Sequence, residues 1–211
     1  MAKYGFLGSA FDPITTGHLN TIQEILERKG FDKIFLMPSN NHRKDKDMHV
    51  SDEHRVNMLK LAIEGHSKFE IEDIELHQPP WDIQTYNTMR KLREMEKYKG
   101  HDLYFLMGAD LLRDIASGEK WSHKEDLLKE NKFVVIRREN IDMHEIIAKD
   151  KLLRKYEEHF DFIYWQVDNN ISSSYIRDEF EIGHHPKFYM PEKVYKYIEE
   201  HQLYGFVPEK D

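Results

Sequence analysis

Short apolar runs alternate with helix-like stretches along this chain, and that alternation limits the folds open to it more than any other feature. Runs suited to strands fall near 3–8, 33–38, 69–76, 102–107, 132–137 and 161–167. Stretches with helical spacing fall near 17–29, 52–65, 84–98, 122–130, 143–158, 173–181 and 191–201. In the first of these, Leu19, Ile22, Ile25 and Leu26 recur at helical spacing, and Gly30 stands where a C-cap belongs. Val56, Met58, Leu59, Ala62 and Ile63 mark the next. Strand and helix in repeated alternation predict an α/β protein on a doubly wound parallel sheet with helices on both faces. Ligands of such sheets sit beyond the carboxyl ends of the strands, where the strand order reverses. A length of 211 residues suits one substantial domain and is short for two, so the reading is a single domain over 1–211. The polar stretch 39–50 is the best candidate for a mobile loop.

Composition narrows the function. The formal net charge is −8. A general nucleic-acid surface or a membrane face is usually basic, so neither is expected as a partner. No apolar run approaches the roughly 18 residues of a spanning helix. Met1-Ala2-Lys3-Tyr4 leads straight into the first strand without the look of a signal peptide, which predicts a cytoplasmic protein. The absence of cysteine removes disulfides, thiolate metal sites and a cysteine nucleophile. The 13 histidines lie mostly in charged contexts, and His184-His185 forms a turn before Pro186, so no protein-built metal site is expected. The oligomeric state stays open, a homo-oligomer included.

Two segments carry chemistry. Gly8-Ser9-Ala10-Phe11-Asp12-Pro13-Ile14-Thr15-Thr16-Gly17-His18 follows the first strand and opens a helix. A loop of this kind aims backbone N–H groups and a helix N-terminus at one spot, which attracts phosphate. His18 adds a group that can donate to a phosphoryl oxygen, while Asp12 reads as a loop-fixing acceptor rather than a metal ligand. The plain alternative is a tight turn with a surface histidine. Near the other end, Ile171-Ser172-Ser173-Ser174-Tyr175-Ile176-Arg177 places hydroxyls before a helix with an arginine on its first turn. Hydroxyl caps, free N–H groups and a guanidinium make a second anion cradle. For this segment the alternative is an ordinary serine cap.

The first segment resembles the leading signature of the nucleotidyltransferase superfamily, and Ile171 to Arg177 resembles its second. Between them, Ser51, Glu53 and Arg55 with Met58-Leu59 and Ala62 are similar to bacterial nicotinate mononucleotide adenylyltransferases. So are Thr85 with Thr88-Met89, Gly108-Ala109-Asp110, Trp121, Leu127-Leu128, and the stretch from Tyr189-Met190-Pro191 to Leu203-Tyr204. The resemblance covers nearly the whole chain. It implies the Rossmann-like nucleotidyltransferase fold and transfer of AMP from ATP to nicotinate mononucleotide, with release of pyrophosphate. It makes His18, Thr15 and Arg177 the catalytic set. The ATP site then comprises Gly8, Ser9, Ala10, Phe11, Gly17, His18, Arg43, Lys44, Gly108, Asp110, Ile171, Ser172, Ser173 and Arg177. The C-terminal part, about 168–206, completes that site. Thr85, Trp121 and His42 fall to the acceptor, Trp121 by stacking on the pyridine ring. Asp110 also reads as the N-cap of a following helix. Mg2+ is expected to arrive with ATP and to take few protein ligands.

Thr15 departs from the nicotinate pattern, which often has His there, and matches the sister phosphopantetheine adenylyltransferases. Phosphopantetheine and nicotinamide mononucleotide therefore stay open as acceptors, as does a nucleotide-binding sensor without turnover.

Overall fold

The structure, a computed structural model, describes every residue of the chain except 44–46, 119–120, 122, 138–140, 166, 168–170 and 209–211. Its strands are β1 (Lys3–Ser9), β2 (Lys33–Pro38), β3 (Phe69–Ile71), β4 (Asp102–Gly108), β5 (Lys132–Ile136) and β6 (Phe160–Ile163). They pair in the order β3-β2-β1-β4-β5-β6, each pair parallel. This is the order of dinucleotide-binding sheets, whose reversal falls between β1 and β4.

The helices are α1 (Thr16–Lys29), α2 (Asp52–Ile63), α3 (Thr85–Glu94), α4 (Ala109–Ser117), α5 (Lys124–Glu130), α6 (Met143–Lys149), α7 (Lys151–Lys155), α8 (Ser173–Glu181) and α9 (Glu192–Glu200). They cover both faces. On one, Ile34, Leu36, Val134 and Ile136 of the sheet meet α1, α2, α8 and α9 through residues such as Ile22, Leu59, Ile176 and Ile198. On the other, Phe35, Met37, Phe133 and Val135 meet α3 to α7 through Leu92, Leu112, Leu127, Ile147 and Leu153. Successive side chains of a strand point to opposite faces, so a parallel sheet covered twice needs continuous apolar runs. Ile34 to Pro38 and Phe133 to Ile136 are buried throughout.

Gly30 does cap α1: at φ 61°, ψ 45° its N–H donates to the Leu26 carbonyl, a left-handed conformation that glycine adopts without a Cβ penalty. Three expectations about elements need correction. The strand over 69–76 stops at Ile71, because the chain turns into a 3₁₀ helix at Ile74–His77. There the buried Glu72 carboxylate accepts from the Ile74 N–H and from the Tyr98 hydroxyl. The helix over 143–158 is two, α6 and α7, divided at Asp150. Its carboxylate accepts from the N–H groups of Leu152 and Leu153 at 2.9 Å and so starts a new helix. Finally, the helix implied by an N-cap at Asp110 is present as α4, but it begins earlier than that reading places it. Asp110 lies in its first turn, and its N-cap is Gly108, not Asp110.

Candidate active site

Ser9 ends β1, and the loop after it runs to Thr15, the N-cap of α1. Thr15 is fully buried, and its hydroxyl accepts the His18 N–H at 3.3 Å. In return the Thr15 N–H donates to His18 Nδ1 at 3.2 Å, with Thr15 Oγ1 2.9 Å from the same nitrogen. This is a capping box with histidine in the place usually held by Glu or Gln. It also settles the tautomer by a chemical argument. A backbone N–H can only donate, so Nδ1 accepts, and the proton of the neutral ring sits on Nε2. Nε2 lies 3.4 Å from Ser9 Oγ. Phe11, buried at φ 49°, packs its ring 5.0 Å from the imidazole. A bulky residue at positive φ costs on the order of 1–3 kcal/mol and persists only where its surroundings over-determine it.

The loop after β2 is tied down by two buried polar side chains. Asn40 Nδ2 lies 3.1–3.2 Å from the carbonyls of Glu75, Leu76 and Gln78. The Arg55 guanidinium, also fully buried, donates to the carbonyls of Ala10 and Ser39 at 2.6 Å, to Asn41 Oδ1 at 3.0 Å, and to Asp52. One side chain of α2 thus joins the loops after β1 and β2.

The two signatures meet. Ser173 Oγ donates to the Pro13 carbonyl at 2.7 Å, across 160 residues of chain. Arg177 Nη1 donates to the Asp12 carbonyl at 2.6 Å, and Thr15 Oγ1 lies 3.4 Å from the Ile171 carbonyl. Ser172 is the N-cap of α8 and accepts from the Tyr175 N–H. Arg177 sits on the second turn of α8, not the first. The Asp12 carboxylate, 1% exposed, accepts from the His49 N–H at 2.7 Å and the Tyr204 hydroxyl at 2.6 Å. Burial, and then the neighbouring Asp12 charge, push the Tyr204 phenol far above the ordinary tyrosine range.

Beyond the carboxyl ends of β1 and β4 lies a cavity of about 650 Å³. Eight of the expected residues line it: Gly8, Ser9, His18, Arg43, Gly108, Asp110, Thr85 and Trp121. Thr85 opens α3, whose N-cap Gln84 makes no side-chain capping bond. The others stand behind or beside the wall. Ala10, Phe11, Thr15 and Gly17 shape the β1 loop and the start of α1. Ile171 before α8, and Ser173 and Arg177 on it, brace that loop, while Ser172 caps α8. His42 is exposed, and its N–H is held by Asn40 Oδ1 at 2.7 Å. Lys44 lies outside the described residues. Sequence patterns do not point to Glu75, Tyr86, Asp114 and His123, which also line the cavity. Tyr86 adjoins Thr85, and Asp114 lies one turn after Asp110 on α4, so neighbouring positions held the signal. Among the described residues, no group of three or more His, Asp or Glu is placed to hold a metal ion. No helix among them is long and apolar enough to cross a membrane.

Residues 6–179 match the cytidylyltransferase-like family, and the chain belongs to that family. Within it, the chain is 36% identical over 208 residues to a protein of Clostridium tetani named as a probable nicotinate-nucleotide adenylyltransferase, covering 97% of this chain and 100% of that one. A protein of Oceanobacillus iheyensis with the same name is 30% identical over 98% of each chain. The solved nicotinic acid mononucleotide adenylyltransferase of Plasmodium falciparum, complexed with NaAD, superposes with a TM-score of 0.78 at 25% identity, over 98% of this chain and 99% of that one.

Proposed function

We propose that this chain is an enzyme that transfers the adenylyl group of ATP to nicotinate mononucleotide, forming the dinucleotide and pyrophosphate, a step of NAD biosynthesis in the cytoplasm. The observation that carries the reading is His18, whose Nε2–H is fixed by Thr15 at the mouth of a glycine-bearing loop on the cavity wall. A phosphate oxygen of the mononucleotide attacks the α-phosphorus of ATP. The bond from that phosphorus to the bridging oxygen breaks, and pyrophosphate leaves with the electron pair. Such transfers need positioning and charge neutralisation rather than a covalent protein intermediate. His18 donates Nε2–H to the α-phosphoryl oxygen as charge builds there. Arg43 from the β2 loop and Arg177 from α8 neutralise the other phosphates. Gly8 and Gly108 present backbone without a Cβ, so nucleotide and main chain can approach closely.

On the acceptor side, the pyridine ring stacks on Trp121. The uncapped first turn of α3, beginning at Thr85, offers N–H groups to the ring carboxylate. Mg2+ fits as a companion of ATP. Asp110 and Asp114, one turn apart on the cavity wall, supply the hard oxygen donors it prefers but no complete cage. When bound, it offsets phosphate charge. Thr15, the residue that points towards phosphopantetheine, acts in this site through the helix cap and the tautomer of His18, a role indifferent to the acceptor.

Pyrophosphate release with ATP and each of nicotinate mononucleotide, nicotinamide mononucleotide and phosphopantetheine tests the proposal. The nicotinate acceptor is expected to give the highest kcat/KM, because donors placed for a carboxylate leave an amide imperfectly paired. A higher value with phosphopantetheine would overturn the acceptor assignment. ATP binding without pyrophosphate release for any acceptor would make the chain a sensor.

A further inference from the structure

Among the described residues lining the cavity, Glu75, Asp110 and Asp114 are carboxylates, and His18, Arg43 and His123 can carry positive charge. The proposed acceptor brings a ring carboxylate in addition to its phosphate. A wall this acidic repels that group unless a cation-capable side chain offsets it. His18, on the first turn of α1, and Arg43, in the loop after β2, stand with the phosphates. His123 does not. It is the N-cap of α5, two residues after Trp121. Its ring lies parallel to Tyr86, on the first turn of α3, at a centroid distance of 5.0 Å and an interplanar angle of 22°. Stacking covers one face of the imidazole. The edge that carries both nitrogens is the part that can meet a ligand, and neither nitrogen has a hydrogen-bond partner among the described residues.

We infer that His123 is a specificity-determining residue that reads the ring carboxylate of the acceptor; this rests on the nicotinate reading above. The imidazole donates an N–H to a carboxylate oxygen, and in its protonated form adds a charge that a carboxylate matches and a carboxamide does not. Tyr86 holds the ring plane, and Trp121 holds the pyridine beside it.

The test is kcat/KM for nicotinate and nicotinamide mononucleotides in the wild type, His123→Ala, His123→Gln and His123→Lys, with KM for ATP measured alongside. In His123→Ala the nicotinate-to-nicotinamide ratio is expected to fall about ten- to a hundredfold, the range for losing a hydrogen bond to a charged group. The fall should come mainly through KM for the nicotinate acceptor, with KM for ATP unchanged. His123→Lys should keep the carboxylate preference, and His123→Gln, a donor without charge, should lie between. An unchanged ratio in all three variants, or an equal loss on both acceptors, overturns the assignment. Should His123→Ala not fold, the Lys and Gln variants decide by the same ratio. If the wild type adenylylates neither pyridine mononucleotide, the functional reading itself falls. If it uses the nicotinate acceptor and the ratio ignores residue 123, this inference alone is overturned.

Discussion

His18 receives donors at Nδ1 and offers a proton at Nε2, so its role follows from its neighbours as much as from its type. Removing one preorganised donor from a charge-stabilising site lowers kcat by ~10²–10³. His18→Ala is expected to show that loss in single-turnover adenylyl transfer, with ATP affinity much less affected. Thr15→Val keeps the shape and removes the hydroxyl. It should cost less in rate, with about 1 kcal/mol of stability lost from the α1 cap. The opposite order, a dead Thr15→Val beside an active His18→Ala, would reverse the roles. Arg177 grips the Asp12 carbonyl through one arm of its guanidinium. Arg177→Ala should raise KM for ATP strongly, and Arg177→Lys should restore only part, since an ammonium cannot hold a carbonyl and a phosphate in one planar fork. Equal KM values for Lys and wild type would show a diffuse charge instead. At this scale the sequence was legible where partners are close along the chain, as Thr15 and His18 are. It marked Arg55 by resemblance but not its role, because its acceptors on Ala10, Ser39 and Asn41 become neighbours only after β1 and β2 pair. A buried guanidinium amid carbonyls leaves no local pattern.

Helix and strand positions followed from apolar spacing wherever an element packs one broad face on the sheet, as α1 and α2 do. Boundaries that depend on a single polar side chain did not. Asp150 divides α6 from α7 inside a stretch whose Met143, Ile147 and Leu153 read as one face. Burial alone would raise its pKa. The Lys124 ammonium at 2.7 Å and the Leu153 and Leu152 N–H groups outweigh burial and hold the carboxyl below its usual range. Asp150→Ala is expected to lower stability by about 1–2 kcal/mol, read from the urea midpoint, with catalysis intact. Asp150→Asn, which keeps the capping oxygen and loses the ion pair, should cost less. An equal loss in both variants would place the effect in the ion pair with Lys124. The helix α4 did carry signals: Leu112 and Ile115 one turn apart, and Gly118 in the left-handed region at its end. Its position against β4 makes it part of the cavity wall, which Asp110 and Asp114 line.

Across the whole molecule, two buried phenols contribute to the response to alkali. Burial raises Tyr98, and its hydrogen bond to Glu72 raises it further; burial and the Asp12 charge do the same for Tyr204. In the unfolded chain both ionise near pH 10. Above that value the native state holds protons that the unfolded state has released, so stability is complete below about pH 10 and falls as pH rises beyond it. Denaturant unfolding between about pH 8 and pH 11 should show this slope, and Tyr98→Phe should flatten it. A slope unaltered in that variant would assign the alkaline loss elsewhere. Tyr204 has a second consequence. It reaches Asp12 across 192 residues, and Ser173 and Arg177 brace the same loop from 160 and 165 residues away. During synthesis, therefore, the loop beside His18 emerges first and its anchors emerge last. A polypeptide stopped before residue 171 holds the loop beside His18 through Arg55 and His49 alone, without the three anchors that Ser173, Arg177 and Tyr204 supply.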